Sequence, residues 1–265
     1  MVCARVIVTR PAREAAQWVQ ALQQRGIGAQ ALPLIAIGPA PDAAALQAAR
    51  ARVLDYRAIM VVSGNAAQHF FDQKVALTLA GQALTAIKTR VWSPGPGTAE
   101  TLQALGVPAA CIDRPAPDAA QFDSEALWAQ VHGDVRAGER VLVVRGADAD
   151  APPQGTGREW LAQQLRARGA AVDFVVAYTR AAPVLSPAQQ TLAQQAAAGG
   201  AWWLLSSSEA LAHLRAALPA QTWERARALA THPRIAQAAR SAGFGTVQEC
   251  RPALTDVVAS IESLP

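Results

Sequence analysis

Lysine is almost missing from this chain. Lys74 and Lys88 are the only two among 265 residues, so the net charge of +4 rests on arginine. No basic run with interleaved aromatics occurs, which argues against a nucleic-acid partner. The arginine excess suits an anionic ligand, because a guanidinium meets a carboxylate in a fixed fork; a mildly basic solvated surface is the alternative. Cysteine is also scarce. Cys3, Cys111 and Cys250 are odd in number and far apart, which fits reduced thiols and gives neither a disulfide framework nor a CxxC zinc site. His69, His132, His213 and His232 are equally scattered, so a metal centre is not expected; no cofactor is expected either. No apolar run approaches the roughly 20 residues that span a bilayer. The segment MVCARVIVTR has no apolar signal core and no small-residue cleavage site, so it reads as a first strand, and a cytoplasmic protein without membrane contact is expected.

What is present is globular. Apolar residues make up 51% and charged residues 17%, and the length suits two domains of about 130 residues each. The most informative stretch runs from Arg140 to Arg180. An apolar strand, Val141 to Val144, is predicted to end in a turn at Arg145-Gly146, and a helix through Trp160, Leu161 and Leu165 is closed by Gly169 as a left-handed cap. A second strand, Val172 to Tyr178, completes a β-α-β unit. Its twin opens the chain: Arg5 to Arg10 matches Arg140 to Arg145, and Trp18 to Gly26 matches Trp160 to Gly169, with a following strand over Ala31 to Ile37.

A second repeat lies between the twins. The strand Ala58 to Val62 runs into Ser63-Gly64-Asn65 and a helix, as AWWLL at Ala201 runs into Ser206-Ser207-Ser208 and EALAHL. A third pair, around Val91 to Gly106 and Leu229 to Gly243, leads in each copy to a short strand closing on Arg-Pro and a last helix. The order is a, b, a′, b′. Alternating strands and helices predict an α/β fold with a parallel sheet in each half, and ligands on such sheets lie beyond the carboxyl ends of the strands. That edge takes in Thr9, Arg10, Ser63, Gly64, Asn65, Ser93, Gly97, Thr98, Arg145, Ser206, Ser207, Ser208, Thr231 and Arg234. The repeat alone leaves open whether each half is continuous or exchanged.

Together these pieces resemble the uroporphyrinogen-III synthase family: Val8-Thr9-Arg10-Pro11, Leu32-Pro33-Leu34-Ile35, Ser63-Gly64-Asn65-Ala66, Gly97-Thr98-Ala99, Val144-Arg145-Gly146, Tyr178, Ser206-Ser207 and the helix from Ala236 to Gly243. The resemblance implies two similar domains, each a parallel sheet flanked by helices, joined by a two-stranded antiparallel crossover. The first domain would be 1–37 with 180–265 and the second 38–179. It implies that hydroxymethylbilane, a linear tetrapyrrole with eight carboxylates, is closed to uroporphyrinogen III in a cleft between the domains. Water is lost and the last ring inverts through a spiro intermediate. The chain is then expected to be a monomer that binds a small molecule.

The resemblance also suggests roles. Thr9, Arg10, Ser63, Gly64, Asn65, Gly97, Thr98, Arg145, Ser206, Ser207, Thr231 and Arg234 are the candidate substrate-binding residues. For Ser63, Thr98, Ser206 and Ser207 an ordinary helix cap is the competing reading, since a cap and an anion site occupy the same place. Tyr178 matches the family's active-site tyrosine, a phenol able to give its proton to the departing hydroxyl; packing at a strand end is the alternative. Where many members carry two threonines, this chain has Arg234-Ile235 after Thr231-His232, so Arg234 would take over a carboxylate and His232 is either a second acid or a turn residue. The seven tryptophans are read as packing residues, Trp18 and Trp160 in equivalent places, and Gly155-Thr156-Gly157 as a loop able to reach over the cleft. Two rival functions remain. Ser93 to Glu100 with Asp113 downstream is a partial dinucleotide fingerprint, although Glu100 stands where a glycine belongs, so a dinucleotide-dependent oxidoreductase is one; a non-catalytic two-domain small-molecule binder is the other.

Overall fold

The alternating pattern becomes eleven strands and eleven α-helices among the residues that the computed structural model describes, 6–81, 89–116, 119, 121–148 and 159–264. Arg5, Cys3, Lys88 and the Gly155-Thr156-Gly157 loop lie outside the described residues. The chain forms two compact units, residues 1–37 with 181–265, and residues 38–180.

In the first unit β1 (Val6–Val8), β2 (Ala29–Ala31), β9 (Trp202–Leu205), β10 (Arg227–Ala230) and β11 (Thr246–Glu249) make a parallel sheet in the order β11-β10-β9-β1-β2. Val6, Ile7 and Val8 are all fully buried because both faces of the sheet are covered. Ile7, Trp203, Leu205, Ala228 and Ala230 meet residues of α8 (Pro187–Gln195), α9 (Ser208–Ala217) and α10 (Pro233–Ser241) on one side. Val6, Val8, Trp202, Leu204 and Leu229 meet α1 (Ala12–Gln23) and α11 (Leu254–Glu262) on the other. Helix α1 presents Ala15, Trp18, Val19 and Leu22, the i, i+3, i+4, i+7 stripe of a sheet-facing helix. Full burial of a side chain such as Val6, Val8 or Leu22 contributes about 1.5–3 kcal/mol.

In the second unit β4 (Ala58–Val61), β5 (Arg90–Trp92), β6 (Ile112–Asp113), β7 (Arg140–Asp148) and β8 (Ala171–Ala181) are parallel in the order β8-β7-β4-β5-β6, and β3 (Ala36–Gly38) borders β8. Ala58, Met60, Trp92, Val141 and Val143 pack on α6 (Ser124–Val131) and α7 (Glu159–Ala167). The remaining helices are α2 (Ala43–Ala51), α3 (Gly64–Phe70), α4 (Gln73–Ala80) and α5 (Pro96–Ala104).

The twin units end their helices identically. Gly26 N–H donates to Gln23 O at 2.9 Å and Ile27 N–H to Leu22 O at 3.0 Å; Gly169 N–H donates to Arg166 O at 2.9 Å and Ala170 N–H to Leu165 O at 3.1 Å. Both glycines sit at positive φ, 75° and 78°, which this double closure requires.

Three expectations are corrected. The strand predicted over Ala31 to Ile37 is two strands: after β2 the chain bonds on to the end of β1 through Leu32 and Leu34, with Pro33 lacking a donor between them, and β3 belongs to the other sheet. The strand predicted to end in a turn at Arg145-Gly146 instead continues to Asp148, with its register to β8 shifted at that point. Trp160 is 37% exposed, so the packing role read for both tryptophans fits Trp18, which lies against the core, better than its twin.

Candidate functional site

The carboxyl edge of the second sheet gathers most of the expected chemistry. Arg145 pairs with Val176 and Gly146 with Tyr178, so Ala177 is one residue too many on β8. That is a bulge, rare between parallel strands, and bulges re-aim side chains. Here Ala177 and Tyr178 are both buried. Tyr178 crosses β7, the strand between β8 and β4, and its Oη lies 3.1 Å from Ser63 Oγ beyond the end of β4. Ser63 is the cap of α3, its Oγ accepting from Ala66 N–H at 3.1 Å. The capping role and the contact with Tyr178 therefore coexist.

The rest of α3 supports this pair. Gly64 opens the helix and Asn65 is buried. His69 sets its ring 5.7 Å from that of Tyr178, tilted by 31°. Arg50 donates to His69 O at 2.8 Å and Phe70 O at 2.9 Å, covering the carbonyl end of α3, and pairs with Asp72 at 3.3 Å. Burial, then the positive charge of Arg50, lowers the His69 pKa below its ordinary value, so the ring is neutral at pH 7.

Arg145 is buried in β7, its guanidinium 4.3 Å from the Phe174 ring and 4.0 Å from Glu159. Burial lowers its pKa and Glu159 opposes the shift. At the start of α5, Ser93 Oγ donates to Gly95 O at 2.8 Å and Thr98 is buried. A Cβ at Gly97 would meet nothing within 4 Å, so the helix start is open there. The dinucleotide reading loses its acidic residue: both carboxylate oxygens of Asp113 accept from Arg90.

The first sheet offers a different edge. Thr9 is buried and its hydroxyl donates to Leu204 O at 2.7 Å, tying β1 to β9. Arg10 lies 4.4 Å over the Trp18 ring and 3.3 Å from Glu14. Burial is the largest influence on its pKa and lowers it. Ser207 caps α9, its Oγ accepting from Ala210 N–H at 3.3 Å, beside half-buried Ser206. Thr231 is buried, His232 Nδ1 accepts from Arg234 N–H at 3.1 Å as the cap of α10, and Arg234 is exposed. His232 is thus a cap as well as a turn residue. His213 Nδ1 donates to Leu34 O at 2.7 Å and so ties α9 to the segment after β2.

The expected residues therefore fall into two groups, Thr9, Arg10, Ser206, Ser207, Thr231 and Arg234 on the first sheet and Ser63, Gly64, Asn65, Gly97, Thr98, Arg145 and Tyr178 on the second. A family model described as uroporphyrinogen-III synthase HemD matches residues 16–259. The chain belongs to the uroporphyrinogen-III synthase family. It is similar to the crystal structure of a mutant uroporphyrinogen III synthase from the extremely thermophilic bacterium Thermus thermophilus, at 16% identity and a TM-score of 0.53, over 98% of this chain and 97% of that one. It is also similar to the uroporphyrinogen-III synthetase of Helicobacter pylori, at 13% identity and a TM-score of 0.56, over 99% and 100%. At these identities the two structures speak for the fold, an α/β pair of parallel sheets flanked by helices.

The reaction of the uroporphyrinogen-III synthase family is the cyclisation of hydroxymethylbilane, a lyase step of tetrapyrrole biosynthesis. In the sequence His69 is one of four scattered histidines and Gly146 reads as a turn. A signal for His69 was present, since it lies six positions after Ser63 on one short helix. The need for glycine at 146 depends on a side chain from another strand and has no local mark.

Proposed function

We propose that Tyr178 is the proton donor of the family reaction and that the substrate-binding set on both sheet edges receives the carboxylates. A phenol with a reference pKa of ~10 is protonated at neutral pH and can give its proton to the terminal hydroxyl. The carbon–oxygen bond then breaks, its electron pair leaving with water. The azafulvene-type cation is attacked by the substituted carbon of the last ring, and the spiro intermediate fragments and recloses the other way round. The proton released as the final pyrrole regains aromaticity returns to the phenolate. The observation that carries this reading is the 3.1 Å contact between Tyr178 Oη and Ser63 Oγ. With one lone pair of Ser63 taken by Ala66 N–H, the serine O–H is free to donate to the phenol oxygen and to stabilise the phenolate that proton transfer leaves. Holding one folded shape against unaided closure is an orientation effect, and helix starts suit carboxylates because their N–H groups point outward.

The same reading takes 1–37 with 180–265 and 38–179 as the domains, and the protein as a cytoplasmic monomer that needs neither nucleic acid nor cofactor. In its support, no helix among the described residues is long and apolar enough to cross a membrane. Arg50, Arg52, Arg57, Arg90, Arg140, Arg180 and Arg240 each pair with an acidic residue.

The test uses freshly generated hydroxymethylbilane, with products separated as isomers after oxidation. The wild type gives uroporphyrinogen III, and Tyr178→Phe loses about 10²-fold or more in turnover at an unchanged melting temperature. A near-normal rate removes Tyr178 from the chemistry, and only the unrotated isomer from the wild type overturns the synthase reading.

A further inference from the structure

A β-carbon built on Gly146 would lie 2.5 Å from Tyr178 Cζ and 2.8 Å from both Cε atoms. Those are the atoms of the hydroxyl-bearing end of the ring. Gly146 is not among the glycines at positive φ, so its backbone would accept alanine without strain. The three atoms nearest to that β-carbon all belong to the tyrosine. Two further features act on the same ring: the extra residue Ala177 turns Tyr178 on to β7, and the imidazole of His69 packs 5.7 Å from it. Beyond the bulge the register is held by Arg180, which donates to Asp148 at 2.5 Å.

We propose that Gly146 and His69 are positioning residues of this enzyme, one by leaving room and the other by packing, which together keep the phenol of Tyr178 on Ser63. This rests on the role of Tyr178 proposed above. Alanine at 146 needs the ring to withdraw by about 1 Å to reach ordinary contact, a displacement able to cost about 10²-fold in rate. It would do so through kcat, since no binding group is removed.

The experiment combines rates with a readout of placement. Gly146→Ala is expected to lower kcat about 10²-fold with KM little changed, and to lower it no further in a Tyr178→Phe background, because the donor it displaces is already gone. Nitration by tetranitromethane, located by peptide mass spectrometry, should spare Tyr178 in the wild type and modify it in Gly146→Ala, with buried Tyr56 as the internal reference. His69→Ala should lower kcat roughly tenfold, and His69→Phe, which restores a ring, should recover most of that. If Gly146→Ala does not fold, adding Tyr178→Ala should restore folding by removing the clash.

Wild-type kcat and an unreactive Tyr178 in Gly146→Ala, the same loss in both backgrounds, or a Gly146→Ala defect that Tyr178→Ala does not relieve would overturn the role of Gly146. His69→Phe as impaired as His69→Ala would overturn the packing role of His69. A normal rate for Tyr178→Phe would instead remove the proton donor, while the nitration result would still report on placement.

Discussion

The two β-α-β units are built alike and finish differently. Arg10 and Arg145 hold equivalent positions, each with its guanidinium about an ordinary stacking distance from an aromatic ring, 4.4 Å from Trp18 and 4.3 Å from Phe174, and each beside a glutamate. In the first unit the strand stops at Val8, the Thr9 hydroxyl donates to Leu204 O, and α1 follows directly after Pro11. In the second unit β7 runs on to Asp148, its partner strand bulges, and a tyrosine is brought across to the start of α3. The shared parts build the sheets; the proposed proton donor sits where one copy departs from the other.

The largest effects should come from setting the two serine caps against each other. Ser63 and Ser207 both follow a buried strand by two residues and cap the next helix. Alanine at either site should cost about 1 kcal/mol as a lost cap. Ser63 touches Tyr178, so Ser63→Ala should also lower kcat about tenfold or more, whereas Ser207→Ala should raise KM and leave kcat near normal. Steady-state kinetics beside thermal melts decide it; equal kcat losses would mean that the two edges are not specialised as proposed.

In stability rather than rate, the sharper comparison is the tryptophan pair. Trp18 lies against the core under Arg10, and Trp160, its twin, is 37% exposed. Trp18→Ala should cost about 2–3 kcal/mol in denaturant unfolding, and Trp160→Ala no more than about 0.5 kcal/mol. Equal costs would restore the symmetry that the sequence suggests.

How much was legible follows from range. The α/β alternation was readable from apolar runs, and the helix ends at Gly26 and Gly169 from single glycines after periodic segments, because each signal is local. Ser63 and Ser207 were readable as caps for the same reason. The continuation of β7 through Gly146 was not, since it depends on pairing with β8, a partner that the tertiary fold supplies and no local residue announces. The split of Ala31 to Ile37 was also hidden: an unbroken apolar run does not say that Leu32, Leu34 and Ile35 enter the core of one unit while β3 joins the other sheet. Arg10 illustrates a third limit. Its place at the sheet edge was readable, but its engagement with Trp18 and Glu14 depends on side-chain packing.

The smallest expected effect separates Arg10 from Arg145 by pH. Arg10 has Cys250 in its surroundings, and burial, then the negative charge of Asp256, raises the Cys250 thiol from 9.0 to about 11 against the opposing pull of Arg10. The folded-state pKa lies above the unfolded one, so this stability is fully present below pH 9 and is lost as the pH rises through about 11. Across that window unfolding releases a proton that the native thiol keeps. Cys250→Ser removes the titrating group, so urea midpoints should fall less steeply from pH 9 to pH 11 in the variant than in the wild type. Removing Arg10's charge with Arg10→Leu should push the thiol higher still and steepen the fall, while Arg145→Leu, in the other unit, should leave that slope unchanged. Parallel slopes in all four proteins would show that the thiol is no more buried in the native state than in the unfolded chain.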